Sequence, residues 1–177
     1  FSHTHLSGTG AGDLYDISFM PVTDPVRKAD APLGIHSRFS HDSEEARAGY
    51  YKVTLDDYGI DVELTATEHC GIQRYTWPGD SGKVILDLAK AMNWDATKLT
   101  GLEVIDSVTV AGFRFSDGWA RNQKVWFATR FSKPFESVEI DSVAGHVATF
   151  GFATTPGEQL TVVTAISGTD AEGAAAN

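Results

Sequence analysis

The stretch Ile60-Asp61-Val62-Glu63-Leu64-Thr65-Ala66-Thr67 alternates apolar and polar residues. Successive side chains of a strand point to opposite faces, so this pattern places one row on a core and the other in water. Tyr50 to Leu55 predicts a strand just before it, and Asp56-Asp57-Tyr58-Gly59 supplies turn residues between the two. The stretch therefore predicts a β-hairpin with one buried face.

Further strand patterns follow along the chain at intervals of about ten residues, separated by turn residues. The predicted strands are Leu14 to Met20, Ile72 to Trp77, Val84 to Leu88, Glu103 to Val110, Ala111 to Phe115, Lys124 to Phe131, Val138 to Ile140, Val147 to Phe152 and Leu160 to Ile166. This spacing indicates an all-β fold, either a sandwich or a barrel.

Helical patterns are scarce in this sequence. Asp42 to Arg47 predicts about one turn, with a capping residue at its start, and Leu88 to Met92 predicts another short turn. From Thr169 onward an N-cap residue is followed by alanines, which predicts the start of a longer helix. We expect one all-β domain over residues 1–168 and the beginning of a helical element over 169–177.

Composition narrows the possible functions. The formal net charge is −10, which argues against a nucleic-acid surface, because binding phosphates needs clustered lysine and arginine. No apolar run approaches the roughly 20 residues needed to span a bilayer. Cys70 is the single cysteine, so no disulfide forms within the segment, and we expect it to be a small buried residue.

The opening stretch FSHTHLSGTGAGD, residues 1–13, holds the first candidate site. In an extended backbone His3 and His5 face the same way and could address one ligand. Three interpretations remain open. The rings could be hydrogen-bonded to the backbone or a carboxylate, could line a polar pocket, or could belong to a metal site whose other ligands the sequence does not identify.

Three glycines in the same stretch, Gly8, Gly10 and Gly12, invite comparison with phosphate-binding loops. A dinucleotide fingerprint needs Gly-x-Gly-x-x-Gly between a strand and a helix, whereas Asp13 holds the last position here. The glycines instead predict a tight turn and a close backbone approach to a ligand or another domain.

Other candidates have a structural interpretation beside the functional one. His41 next to Asp42 could act as a base, but such charges usually form a solvated face. The aromatic residues of Gly118-Trp119 and Tyr75-Thr76-Trp77 could stack on sugars, although in sandwiches they more often pack in a core or between domains. The Gly-x-Ser-x-Gly and His-Glu-x-x-His motifs are missing from the sequence. Paired carboxylates for glycoside hydrolysis need geometry to be identified.

Four long motifs together resemble one protein family. FSHTHLSGTGAGD, then RFSHDSEEARAGYYKVTLDDYGIDVELTATEH (38–69) and GFRFSDGWARNQKVWFATRFSKPF (112–135), resemble the N-terminal region of glycoside hydrolase family 92. VVTAISGTDAEGAAAN (162–177) resembles the passage into that family's catalytic domain. The sequence departs from the family pattern at Ala11, at Ala48 and at His69-Cys70.

The resemblance implies an antiparallel β-sandwich of the supersandwich, galactose-mutarotase-like type, with little helix. It implies that residues 1–168 are an N-terminal domain truncated at its start, and that 169–177 begin a linker helix toward an (α/α)6 catalytic barrel. Family members are inverting exo-α-mannosidases that depend on calcium and act on mannose-containing glycans. The general acid, the general base and the calcium ligands are expected in the barrel, beyond Asn177.

For this segment the resemblance implies a supporting role in sugar binding, without catalytic or metal-ligating residues. The residues expected to line the sugar pocket are His3, His5, Ser7, Gly8, Thr9 and Asp13. The expected location is secreted or periplasmic. Two alternatives are a free-standing carbohydrate-binding β-sandwich module and a purely structural sandwich.

Overall fold

A computed structural model describes residues 1–4, 14–25, 35–90, 95–143 and 145–177. Its regular elements, in chain order, are β1 (Ser18–Val22), a 3-10 helix (His41–Ser43), β2 (Glu45–Arg47), β3 (Tyr50–Leu55), β4 (Ile60–Ala66), β5 (Cys70–Thr76), β6 (Ser81–Asp87), β7 (Ala96–Val104), β8 (Thr109–Asp117), β9 (Gln123–Phe131), β10 (Ser137–Asp141), β11 (Val147–Ala153), β12 (Gln159–Ser167) and α1 (Ala171–Ala176).

The strands form two antiparallel sheets. The large sheet has eight strands in the order β2-β3-β4-β5-β12-β9-β8-β7, and the small sheet has four in the order β1-β6-β11-β10. A bridge between Ser2 and Ser18 also places the first residues of the chain beside β1. The predicted fold class, an all-β antiparallel sandwich with little helix, is confirmed.

The core lies between the inner faces of the two sheets. Ile60 and Val62 of β4 are fully buried, as the alternation predicts. Four rings, Phe131, Phe135, Phe150 and Phe152, form what we call the phenylalanine cluster, with centroids 5.1 to 6.4 Å apart. Burying such a side chain stabilises the fold by about 1.5–3 kcal/mol, so this cluster is a main contributor to the sandwich.

The hairpin predicted over residues 50–67 is confirmed. Strands β3 and β4 pair antiparallel, and Leu55 lies opposite Ile60 at the turn. Gly59 in this turn has a φ of +65°, a left-handed conformation that glycine adopts without steric cost. Local sequence therefore fixes both the strands and their connection.

One predicted strand is wrong. Glu103 to Val110 is interrupted by a turn, so β7 ends at Val104 and β8 begins at Thr109. The carboxylate of Asp106 accepts a hydrogen bond from the backbone N–H of Val108 at 2.8 Å. Aspartate favours turns through such local bonds, and this turn chemistry outweighs the apolar residues around it.

The start of the chain also differs from the prediction. The strand expected over Leu14 to Met20 begins only at Ser18. Leu14 and Ile17 have φ angles of 67° and 52°, and left-handed backbone cannot continue a pleated strand.

The short helix expected over Asp42 to Arg47 is half right. A 3-10 turn covers His41–Ser43, and Glu45–Arg47 forms β2 at the edge of the large sheet. Leu88 to Lys90 is not helical, and residues 91 and 92 of that predicted turn lie outside the described residues.

Helix α1 is where the sequence predicts helical structure. Asp170 is its N-cap, and its carboxylate accepts a hydrogen bond from the Gly173 N–H at 2.7 Å. The helix packs against β8, β9 and β12 of the large sheet. Over the described residues, no helix is long and apolar enough to cross a membrane.

Candidate functional site

One end of the large sheet holds a cavity. The turn between β4 and β5 and the turn between β8 and β9 both lie at this end, because Cys70 pairs with Ala165 and Trp126 pairs with Ser167. The cavity has a volume of about 420 Å³ and is lined by residues 1–3, 49–51, 64–73 and Ile166. Small-molecule sites typically span roughly 300–1,000 Å³, so this cavity is large enough for a sugar ring.

His3 is the predicted sugar-pocket residue that the structure describes, and it lies in the wall of this cavity. Its Nδ1 is 2.8 Å from the carbonyl oxygen of Ile17. A carbonyl oxygen only accepts, so Nδ1 carries the proton and donates. Its Nε2 then accepts from the side-chain amide of Gln73 at 3.2 Å, and the Gln73 oxygen accepts from the hydroxyl of Tyr75 at 2.5 Å. Both ring nitrogens of His3 are therefore engaged.

This environment keeps the His3 ring neutral. Burial lowers the pKa of His3 from 6.5 to about 4, because a charged imidazolium is poorly solvated there. The ring also packs edge-on against Phe19, with centroids 5.3 Å apart. Gly71 makes room for it, since a Cβ at that position would overlap the ring carbon Cδ2.

The other predicted sugar-pocket residues, His5, Ser7, Gly8, Thr9 and Asp13, lie outside the described residues, and their role stays a prediction. The residues on either side of this segment are in direct contact. The Thr4 hydroxyl contacts the carbonyl oxygen of Leu14 and accepts from the Asp16 N–H at 2.9 Å. The two flanks of segment 5–13 are therefore joined beside the cavity.

A buried polar cluster, which we call the Arg114 network, lies beside these flanks. Its members are Thr4, Asp16, Asp95, Thr97, Arg114 and Gln123. Arg114 and Asp16 are 1% and 0% exposed. Burial raises the pKa of Asp16, since the charged form is disfavoured in a low-dielectric environment. Burial also opposes the charge of Arg114, yet Asp95 and Asp16 raise its pKa.

The sequence analysis missed this network. One signal could have indicated it, namely that Arg114 occupies the inward row of β8 together with Val110 and Ser116, both buried. A charged residue in a core-facing row needs a buried partner. The sequence does not say which of 24 acidic residues that partner is.

The remaining sequence candidates divide between core and surface. Trp77 is 1% exposed and belongs to the core, whereas Trp119 is 70% exposed in the turn after β8. His41 lies on the exposed 3-10 turn, where its Nδ1 contacts Glu44. Cys70 is half-buried at the start of β5 and does not lie in the core, because its side chain faces outward from the large sheet.

The described part of the chain contains no group of three or more His, Cys, Asp or Glu side chains that could hold a metal ion. Asp16 and Asp95 are buried oxygen donors at this end, but Arg114 binds both carboxylates. A calcium ion needs six to eight oxygen ligands, so the described residues do not fit a calcium site.

Comparison with known proteins gives one family. Residues 1–167 match the family described as the glycosyl hydrolase family 92 N-terminal domain. Among curated proteins, nothing matches this chain.

Solved structures are also similar. A family GH92 α-mannosidase from Bacteroides thetaiotaomicron, in complex with mannoimidazole, is 31% identical with a TM-score of 0.91, over 99% of this chain and 26% of that chain. A family GH92 inverting mannosidase from Bacteroides thetaiotaomicron VPI-5482 is 24% identical with a TM-score of 0.74, over 91% and 23%. The latter likeness concerns the fold. This chain thus spans about a quarter of the length of these relatives.

Proposed function

This chain belongs to glycoside hydrolase family 92, as its N-terminal domain, and from that premise we propose that it is the accessory sandwich of a calcium-dependent, inverting exo-α-mannosidase. The observation that carries the proposal is the family match over residues 1–167. The likeness to a mannosidase that binds mannoimidazole supports it. The substrates are mannose-containing glycans.

Inversion requires two carboxyl groups on opposite sides of the sugar, roughly 6.5–9.5 Å apart. One protonates the leaving oxygen while the other activates water. Asp16 and Asp95 cannot take these parts, because Arg114 holds both in a buried cluster. In this proposal the acid and the base come from an (α/α)6 barrel elsewhere in the same polypeptide. The calcium, which would help bind sugar hydroxyls, is held there too.

The contribution of this domain is to shape the sugar pocket. His3 lies in the wall of the 420 Å³ cavity. Thr4, the next residue, contacts the Leu14 carbonyl, so the two flanks of segment 5–13 lie close together. His5, Ser7, Gly8, Thr9 and Asp13 of that segment line the pocket in this proposal. The glycine of this set is suited to close approach, and its two hydroxyl groups are suited to hydrogen bonding with a neutral sugar.

An apolar patch on the outer face of the large sheet supports a barrel partner. Phe113, Phe115 and Trp126 stack with centroids 4.6 and 5.0 Å apart, outside the core. Beside them Leu99 of β7 is 55% exposed. Contiguous apolar surface of this kind marks an interaction site, and in this proposal the barrel packs there. Action on extracellular glycans would place the enzyme in the periplasm or outside the cell.

The proposal is tested on the full-length polypeptide that carries this segment. We expect it to release mannose from α-linked mannobioses, to form the β-anomer first when followed by NMR, and to lose activity on calcium chelation. Residues 1–177 alone should be inactive. No mannoside hydrolysis by the full-length protein would contradict the proposal. Calorimetric binding of mannose by the isolated chain, without hydrolysis by any longer form, would favour a carbohydrate-binding module instead.

A further inference from the structure

Asp16 connects the first residues of the chain to the large sheet. Its backbone carbonyl accepts a hydrogen bond from the His3 N–H at 3.1 Å, and the carbonyl of the next residue, Ile17, accepts from the His3 ring. Two consecutive carbonyl groups therefore hold His3 in the cavity wall. Any displacement of this backbone would move the imidazole ring.

The side chain of Asp16 is fixed by residues from two strands of the large sheet. Arg114 of β8 contacts one carboxylate oxygen, and Gln123 at the start of β9 contacts the other. The hydroxyl of Thr4 lies 2.8 Å from the second oxygen. Because Asp16 is fully buried, water cannot substitute for a lost partner.

Arg114 is itself held in one orientation. Its Nε donates to the Leu88 carbonyl oxygen at 3.2 Å, and its two terminal nitrogens bind Asp95 at 2.7 and 2.9 Å. The remaining two N–H groups donate to Thr97, at 2.8 Å, and to Asp16. A guanidinium has five N–H donors in a rigid planar fork. All five are used, so Arg114 is a fixed point for Asp16.

The backbone on both sides of Asp16 is strained. Leu14 and Ile17 have φ angles of 67° and 52°, and Ile17 is β-branched and fully buried. Such conformations are unfavourable for residues with a side chain and persist where the surrounding structure imposes them, often at functional sites. The ion pair with Arg114 supplies that constraint here.

We propose that Asp16 and Arg114 are positioning residues of the sugar site, which hold His3 in the cavity wall through the Asp16–Ile17 backbone. The inference rests on the proposed function, because it assigns the sugar site to this end of the sandwich. Neither residue touches the sugar. Their effect on hydrolysis passes through His3 and its neighbours.

The test uses Asp16→Asn and Arg114→Lys in the full-length polypeptide. Both retain a polar group, but each removes the charge or the fork geometry that fixes Asp16. A displacement of about 1 Å at such a site lowers kcat/KM on the order of a hundredfold. We therefore expect a loss of tenfold to a hundredfold on para-nitrophenyl α-mannoside.

Thr154→Val is the matched structural control. Thr154 is a buried residue whose hydroxyl binds Gly79 and Gly82. It lies at the opposite end of the sandwich from the turn between β4 and β5. Its removal costs stability without reaching His3, so kcat/KM should stay at the wild-type value. Folded Asp16→Asn and Arg114→Lys enzymes with wild-type kcat/KM would overturn the proposal.

A second readout separates this proposal from the mannosidase assignment. NMR titration of the His3 ring should show its pKa rising by about one unit or more in either variant, as the ring gains solvent. If the wild-type protein hydrolyses no mannoside, the proposed function fails, and the His3 titration alone decides the positioning role. Reduced activity with an unchanged His3 titration would also overturn it, because the effect would then bypass His3. If both other variants fail to fold, the His3 titration is measured in Gln123→Ala, which removes only the Gln123 contact to the Asp16 carboxylate.

Discussion

The phenylalanine cluster and the Arg114 network are both buried in the same sandwich, but they are held together differently. The first is a set of rings whose attraction depends on area and shape and has little directional character. The second is built around an arginine that donates five directed hydrogen bonds, three of them to two carboxylates. The apolar region should therefore tolerate similar shapes, whereas the polar region should tolerate almost no change.

Replacement of Arg114 by methionine should have the largest effect. The substitution preserves much of the side-chain volume but leaves Asp16 and Asp95 buried without their partner. Breaking a buried ion pair from one side costs about 3–5 kcal/mol. Urea denaturation of the purified chain measures this loss. A loss below about 1 kcal/mol, the level of exposed ion pairs, would show that the network is not rigid.

A change of pH should test the cavity wall beside the Arg114 network without any mutation. The pKa of His3 is about 4 in the folded chain against 6.5 unfolded, so the unfolded state binds the proton more tightly. The stability conferred by neutral His3 is complete above pH 6.5 and is lost as the pH falls toward 4, by about 3 kcal/mol in total.

The His3→Asn variant is the control for this pH effect, because it keeps a donor toward Ile17 and does not titrate. The difference between the two stability curves isolates His3 from Asp16, whose raised pKa acts in the opposite direction. Curves of the same shape would contradict the assignment of a buried neutral ring.

Substitution by methionine in the apolar core should have a modest effect on stability. Leu160 is fully buried in the apolar core that also contains Phe131, Phe150 and Phe152 of the phenylalanine cluster. Leu160→Met conserves volume and polarity, so the expected loss is about 1 kcal/mol. Measured beside Arg114→Met, it tests whether burial or directed bonding explains the difference. Equal losses for the two methionine variants would remove the distinction between the regions.

The smallest effect is expected at an exposed ion pair. Lys83 contacts Asp24 at 2.7 Å, and their side chains are 32% and 53% exposed. Lys83→Ala should change the unfolding free energy by no more than about 0.5 kcal/mol. A larger loss would mean that charge pairing stabilises this fold wherever it occurs, buried or exposed.

Much of the sandwich follows from the sequence because its determinants are local. Alternation over residues 50–67 predicts β3, β4 and their turn almost residue for residue. The predicted strand Glu103 to Val110 was wrong because apolar residues continue through the turn. Asp106, which accepts a backbone hydrogen bond there, is the residue that indicates the turn. Local pattern predicts strands well, and predicts turns where glycine or aspartate is recognised.

The candidate site is predictable only in part. The sequence singles out His3, yet the cavity beside it is assembled from residues 1–3, 49–51 and 64–73, which no local pattern connects. Asp16, one of the two carboxylate partners of Arg114, lies 98 residues away. This pairing depends on how β8 packs against residues 14–17, and tertiary packing of this kind leaves no pattern in the local sequence.

The contact between Asp16 and Arg114 also bears on how the chain matures during synthesis. Asp16 leaves the ribosome 98 residues before the arginine that neutralises it. At 5–20 residues per second, this interval lasts roughly 5–20 s. For that time the Asp16 carboxylate must stay hydrated, and the strained backbone around it lacks the ion pair with Arg114. The backbone that holds His3 is therefore translated well before the contact that fixes it.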